Sequence, residues 1–115
     1  MVEKRIYDRL PARLQARLFY GDLIYTGTVA NLSEGGMFIC TKIKFPAETV
    51  FDVAVLGNGQ TFKLPVKVKR AVSDLFFGCS EKSGVGVELI KPPQNYLEFV
   101  KGCKTSERFL QDVPS

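Results

Sequence analysis

The chain reads as an all-β domain, a six-stranded antiparallel barrel with one C-terminal α-helix. Three observations predict this. Apolar and polar residues alternate at period two over most of the stretch from Pro11 to Ile90, the spacing of strands buried on one face. Gly-, Pro- and Asn-containing turn signals break that stretch into six short segments, a pattern that suits closure into a barrel. After Pro92-Pro93 the apolar spacing changes to three and four residues, the period of a helix.

Each element has its own reason. Leu14, Ala16, Leu18 and Tyr20 alternate with Arg13, Gln15, Arg17 and Phe19, which makes the first strand. Gly21-Asp22 turns the chain, and residues 23–30 are rich in β-branched and aromatic side chains that favour a second strand. Residues 31–36 (Asn-Leu-Ser-Glu-Gly-Gly) form a turn cluster before a third strand over 37–43. Lys44 to Glu48 is a loop, and residues 49–56 a fourth strand with Phe51, Val53 and Val55 on one face. Asn58-Gly59 is a strong hairpin signal, because both positions of such a turn need positive φ.

The fifth strand spans 61–72, with Phe62, Leu64, Val66 and Val68 inward and Pro65 outward, at an exposed edge or a bulge. Ser73 to Ser83 is a longer loop carrying Phe76 and Phe77, and 84–90 is the sixth strand. Pro93 starts a helix whose Tyr96, Leu97, Phe99, Val100 and Cys103 share one face, read as cover for the core. A separate short turn is expected near 106–111. The expected organisation is a flexible arm over 1–12, the barrel with its helix over 13–104, and a tail over 105–115.

Composition excludes several functions. The 115 residues suit one domain large enough to fold without disulfides or metal. Histidine is absent, which removes the commonest general base and the commonest metal ligand. The reading is therefore of a protein that is not an enzyme and holds no metal. The three cysteines, Cys40, Cys79 and Cys103, are odd in number and form no C-x-x-C pair. They read as free thiols of a cytoplasmic protein, with Cys40 a small buried hydrophobe. No signal peptide or membrane span is seen. The net charge of +4 favours an anionic partner without identifying one.

Two local features could carry binding. Arg5 and Arg9 in Arg-Ile-Tyr-Asp-Arg can turn two guanidiniums toward one target. Each presents a planar fork that fits a guanine edge or a phosphate. A solvated basic arm is the plainer reading. Asn31-x-Ser33-x-x-Gly36 offers a base-reading amide, a hydroxyl and a backbone open to close approach. A side-chain-capped turn between strands is the plainer reading there.

Together, with Asn31 standing 22 positions after Arg9, the two halves resemble the R-x-x-x-R and [D/N]-x-S-x-x-G signature of the PilZ domain family. Gly84-Val85-Gly86-Val87-Glu88 resembles that family's last core strand. The resemblance implies a PilZ-type barrel acting as a stand-alone receptor for cyclic di-GMP. It implies that Arg5 and Arg9 clamp guanine and phosphate, Asn31 reads a guanine edge, Ser33 contacts phosphate or base, and Gly36 allows close approach. Lys4, Gly35 and Arg70 are secondary candidates. Lys4 stands where many members carry a further arginine, which leaves one or two ligands per chain open. Binding would order the arm and relay a signal to an effector protein in motility, biofilm or exopolysaccharide control. The rivals are an adaptor acting through protein contacts alone and a small basic barrel binding single-stranded nucleic acid.

Overall fold

The computed structural model describes residues 10–57, 59–73 and 83–112, and the side chains of all but 72–73 and 104–112 among them. Six strands form a closed antiparallel barrel in the order β1-β2-β3-β6-β5-β4. They are β1 (Leu10–Tyr20), β2 (Leu23–Leu32), β3 (Gly36–Cys40), β4 (Val50–Gly57), β5 (Gln60–Ser73) and β6 (Ser83–Leu89), followed by α1 (Gln94–Asp112). The expected fold class is the observed one. Closure pairs β1 with β4, from Ala16↔Val55 to Phe19↔Asp52, so no sheet edge is left open.

Alternation places Leu18, Val29, Ile39, Val53, Leu64, Val66, Val85 and Val87 inside. Gly57 pairs with Gln60 across a two-residue loop, and Gly59 takes φ 77° as that turn requires; Asn58 lies outside the described residues. Pro65 faces outward opposite Asp52, just past the last β5–β6 pair, Val66↔Leu89. Its carbonyl accepts the Ile90 N–H at 2.9 Å, and beyond the β5–β6 ladder its missing N–H costs no strand pairing.

Four boundaries differ by more than one residue from the sequence reading. β1 starts at Leu10, within the stretch expected to be arm, because Leu10 pairs with Leu32. β2 runs through Asn31 and Leu32 rather than ending at residue 30. β3 stops at Cys40; Thr41 still donates its N–H to the Ser83 carbonyl at 3.1 Å, but its hydroxyl donates to the Thr26 carbonyl at 3.0 Å and accepts the Ile43 N–H at 3.3 Å, which turns the chain out of the sheet. The turn expected near 106–111 is part of α1, which is one helix to Asp112. The thiol reading also needs correction. Cys40 is disulfide-bonded, and Cys103 is not in a disulfide. Phe76, Phe77 and Cys79 lie outside the described residues.

Each end of the barrel has a cover. At one end Phe45 folds in from the 44–48 loop. Its ring stacks on Phe51 at 4.7 Å and meets Tyr20 and Tyr25 edge-on at 5.5 and 6.0 Å. The sequence reading placed no core residue in that loop. Phe45→Ala should cost about 3–5 kcal/mol, as for other buried Phe truncations. A urea midpoint that drops at constant slope would show it; an unchanged midpoint would mean the loop is not a plug.

At the other end α1 closes the opening. The Pro93 carbonyl accepts the Tyr96 and Leu97 N–H groups at 3.1 and 3.2 Å, starting the helix directly after the strand-breaking prolines. Tyr96 and Val100, four residues apart, are fully buried. Phe99 packs on Phe62 at 4.8 Å. No helix among the described residues is long and apolar enough to cross a membrane.

Candidate functional site

The Asn-x-Ser-x-x-Gly segment closes the β2–β3 hairpin at the end covered by α1. One extra residue on β2, Ala30, breaks the register between Val29↔Ile39 and Asn31↔Phe38. Strict alternation from inward Val29 would have turned Asn31 into the core and Leu32 out. The bulge reverses both: Leu32 is buried in the core cluster and Asn31 faces outward beside Phe38. Bulges re-aim side chains in this way next to binding sites.

Ser33 holds the turn together. Its N–H donates to the Gly36 carbonyl at 2.9 Å. Its hydroxyl accepts the Gly35 and Gly36 N–H groups at 3.3 and 3.1 Å and donates to the Gly36 carbonyl at 3.3 Å. A hydroxyl has one hydrogen and two lone pairs to offer, and all are used inside the turn. Ser33 is only 3% exposed. The turn is also tied to β6, since the Leu89 N–H donates to the Gly35 carbonyl at 3.0 Å.

The hydroxyl of Tyr96 donates to the Ser33 carbonyl at 2.8 Å. Burial pushes the Tyr96 phenol well above its ordinary value, and Cys103 and Glu34, which would repel a phenolate, add to the rise. Tyr96 therefore stays a donor when an exposed tyrosine would ionise, near pH 10. The unfolded chain binds fewer protons than the folded one above that pH, so stability must fall as pH rises. The slope from this group is about half its limit at pH 10 and approaches about 1.4 kcal/mol per pH unit above it. Denaturation curves collected from pH 9 to 11 should show it, and Tyr96→Phe should flatten it; equal slopes in both proteins would contradict the assignment.

A row of outward residues crosses four strands: Asn31 pairs with Phe38, Phe38 with Gly86, and Gly86 with Arg70. A second bulge, between Val68 and Arg70, turns Arg70 out over Gly86. A Cβ on Gly86 would lie 3.7 Å from Arg70 Cγ and 3.8 Å from Phe38 Cδ1, and one on Gly84 would strike the Phe38 ring at 2.7 Å. The two glycines thus form a strip without side chains, over which Phe38 lies flat enough to be only 9% exposed. Three strand spacings separate Asn31 from Arg70, about 14 Å.

The structure therefore brings Asn31, Ser33, Gly35 and Gly36 into one turn and sets Arg70 on the same wall, three strands away. Lys4, Arg5 and Arg9 lie outside the described residues. The residue after Arg9 is nonetheless located. Leu10 pairs with Leu32, and Leu32 directly precedes Ser33. Phe38 and Tyr96 were not foreseen as part of this region. The period-two spacing of Gly84 and Gly86 held the clue to Phe38, because it leaves one face of β6 bare. A separate groove of 340 Å³ on the outer wall, lined by Gln15, Arg17, Thr26, Ala54 and Leu56 among others, includes none of the motif residues.

The PilZ domain family model matches residues 3–101 of the chain. No curated protein matches it significantly. Among solved structures it is similar to the Bacillus subtilis inhibitor of motility (MotI/DgrA), with a TM-score of 0.75 at 15% identity over 98% of this chain and 54% of that one. It is similar to the PilZ domain of YcgR from Escherichia coli with c-di-GMP, with a TM-score of 0.74 at 14% identity over 97% of this chain and all of that one. YcgR from Escherichia coli in complex with c-di-GMP gives a TM-score of 0.77 at 15% identity, covering 96% of this chain and 49% of that one. The chain thus spans about half the length of MotI/DgrA and of the longer YcgR chain.

Proposed function

The chain belongs to the PilZ domain family, and on that footing we propose that it is a receptor for cyclic di-GMP. One observation carries the reading. Leu10, the residue after Arg9, pairs with Leu32, the residue before Ser33, which supports a site shared by the two halves of the signature. Consecutive Cα atoms are about 3.8 Å apart, so Arg9 is one step from a residue that lies beside Ser33.

In this proposal Arg5 and Arg9 clamp guanine and phosphate, and the outward Asn31 reads a guanine edge. Ser33 and Gly35 give the turn its shape, and Gly36 brings its backbone close to the ligand. A direct ligand contact by Ser33 would replace its hydroxyl's donation to Gly36. Lys4 adds charge beside the arginines, and Arg70 meets only the far side of a ligand seated on Asn31. The ligand's two negative charges suit the net +4 of the chain. Binding draws the arm ahead of β1, residues 1–9, onto the barrel, and the new surface is read by an effector protein in the cytoplasm, in control of motility, biofilm or exopolysaccharide. The protein acts by binding, without catalysis.

Calorimetric titration with cyclic di-GMP beside GTP tests this. Selective, saturable heat with the cyclic ligand and a stoichiometry of one or two per chain is the expected result. No heat and no thermal stabilisation at high ligand would overturn the receptor reading in favour of an adaptor working through protein contacts.

A further inference from the structure

The turn that carries the ligand motif is gripped from behind by the C-terminal helix. The link is the Tyr96 hydroxyl on the Ser33 carbonyl, 2.8 Å long and fully buried, between residues 63 positions apart. Ser33 is the residue whose side chain organises the turn, with its hydroxyl on the N–H groups of Gly35 and Gly36. A shift of its carbonyl therefore displaces the hydroxyl and both N–H groups together.

The other end of the link is equally constrained. The Tyr96 ring lies 6.0 Å from Phe62 and 6.5 Å from Phe99. Phe99 is seated over Gly57, where a Cβ would come within 2.5 Å of its ring. The half-buried Phe99 thus seats one face of α1 against the end of β4, beside the Tyr96 bond. Beyond Val100, the last residue of α1 in the buried core cluster, the helix continues to Asp112. At 1.5 Å per residue that is about 18 Å of helix. The element bonded to the turn therefore extends well past its own contact with the core.

We propose that Tyr96 is a positioning residue that couples the ligand turn to α1, so that ligand occupancy changes how α1 sits on the barrel. This rests on the receptor reading above and adds to it the route of the signal. Coupling of this kind is reciprocal. If occupancy changes how α1 sits on the barrel, a partner that holds α1 changes the affinity for the ligand by the same factor. A purely structural Tyr96 would affect stability and leave both affinity and the response of α1 unchanged.

Tyr96→Phe separates the two, since it keeps the ring and removes only the donor. Wild type and variant are compared by calorimetry with cyclic di-GMP and by amide hydrogen exchange with and without it. In the variant, cyclic di-GMP affinity should fall about tenfold, within the usual range for coupled sites. The exchange change that ligand induces in residues 94–112 of the wild type should disappear. Without ligand, the Gly35 and Gly36 amides of the variant should already exchange faster. A variant that binds within twofold of wild type and keeps the α1 response overturns the proposal. A wild type that takes no cyclic di-GMP overturns the receptor reading instead. The ligand-free comparison then decides the link by itself: faster exchange at Gly35 and Gly36 upholds it, and unchanged exchange removes it.

Discussion

Replacing Arg5 and Arg9 together with alanine is expected to weaken cyclic di-GMP binding by at least about 100-fold while leaving the barrel intact. Hydrogen bonds to charged groups contribute about 1.5–3 kcal/mol each, and a factor of ten corresponds to about 1.4 kcal/mol. Removing two such hydrogen bonds at once therefore exceeds two decades in affinity. Stability should stay within about 0.5 kcal/mol of wild type, because both residues precede β1, which begins at Leu10. Calorimetry and thermal denaturation on the same samples separate the two quantities. The Arg5→Lys/Arg9→Lys protein sharpens the result. It keeps both charges and loses the planar fork, so its affinity should fall between the others. If lysine restored full binding, charge alone would explain the arm. If the alanine protein bound like wild type, the arm would have no part in the site.

Much of the barrel was legible because one face of each strand is buried. A strand covered on one side must alternate, and Leu14 to Tyr20 or Phe62 to Val68 alternate in plain view. What escaped the sequence were features made by contacts distant in the chain. Asn31 and Leu32 look like turn residues until Leu10 and Pro11 on one side and Met37 and Phe38 on the other extend the ladder to them. Phe45 looks like loop because nothing local shows that Phe51, Tyr20 and Tyr25 leave a hole for its ring. Phe38 looks like any outward strand residue until the bare face of Gly84 and Gly86 is placed beside it.

The candidate site divides in the same way. Its motif is local in each half and could be read directly. Its support could not. The plain reading of residues 31–36 as a side-chain-capped turn is true of Ser33, whose hydroxyl does cap the turn. The proposed binding role and the capping role are therefore compatible: a capped turn is a preorganised one, with less ordering left to do when a ligand arrives. Tyr96 belongs to the site only through a hydrogen bond across 63 residues, and no spacing rule announces such a contact. From sequence it was one more apolar position on a helix face.

Gly36 is where the two readings of the motif make different demands, and Gly36→Ala is expected to be costly under both. The resemblance to the family assigns this glycine to close approach of the ligand. The structure adds a requirement that holds with no ligand at all. A Cβ on Gly36 would lie 2.7 Å from the Val87 carbonyl oxygen, on the neighbouring strand, where Gly36 pairs with Glu88 and Met37 with Val87. Among the described glycines only Gly21 and Gly59 take positive φ, so at Gly36 space is limiting and backbone conformation is not. The obstructing atom is backbone, which a rotamer change cannot clear. β3 must move away from β6, straining the Gly36 N–H bond to Ser33 and the Leu89 bond to Gly35. Overpacking of this kind costs about 1–3 kcal/mol. Urea denaturation of the ligand-free variant should show a lower midpoint at unchanged slope, together with weaker cyclic di-GMP binding. A variant as stable as wild type but weaker in binding would mean that the glycine serves only to admit the ligand. Loss of stability with full affinity would mean that it serves only the strand pair.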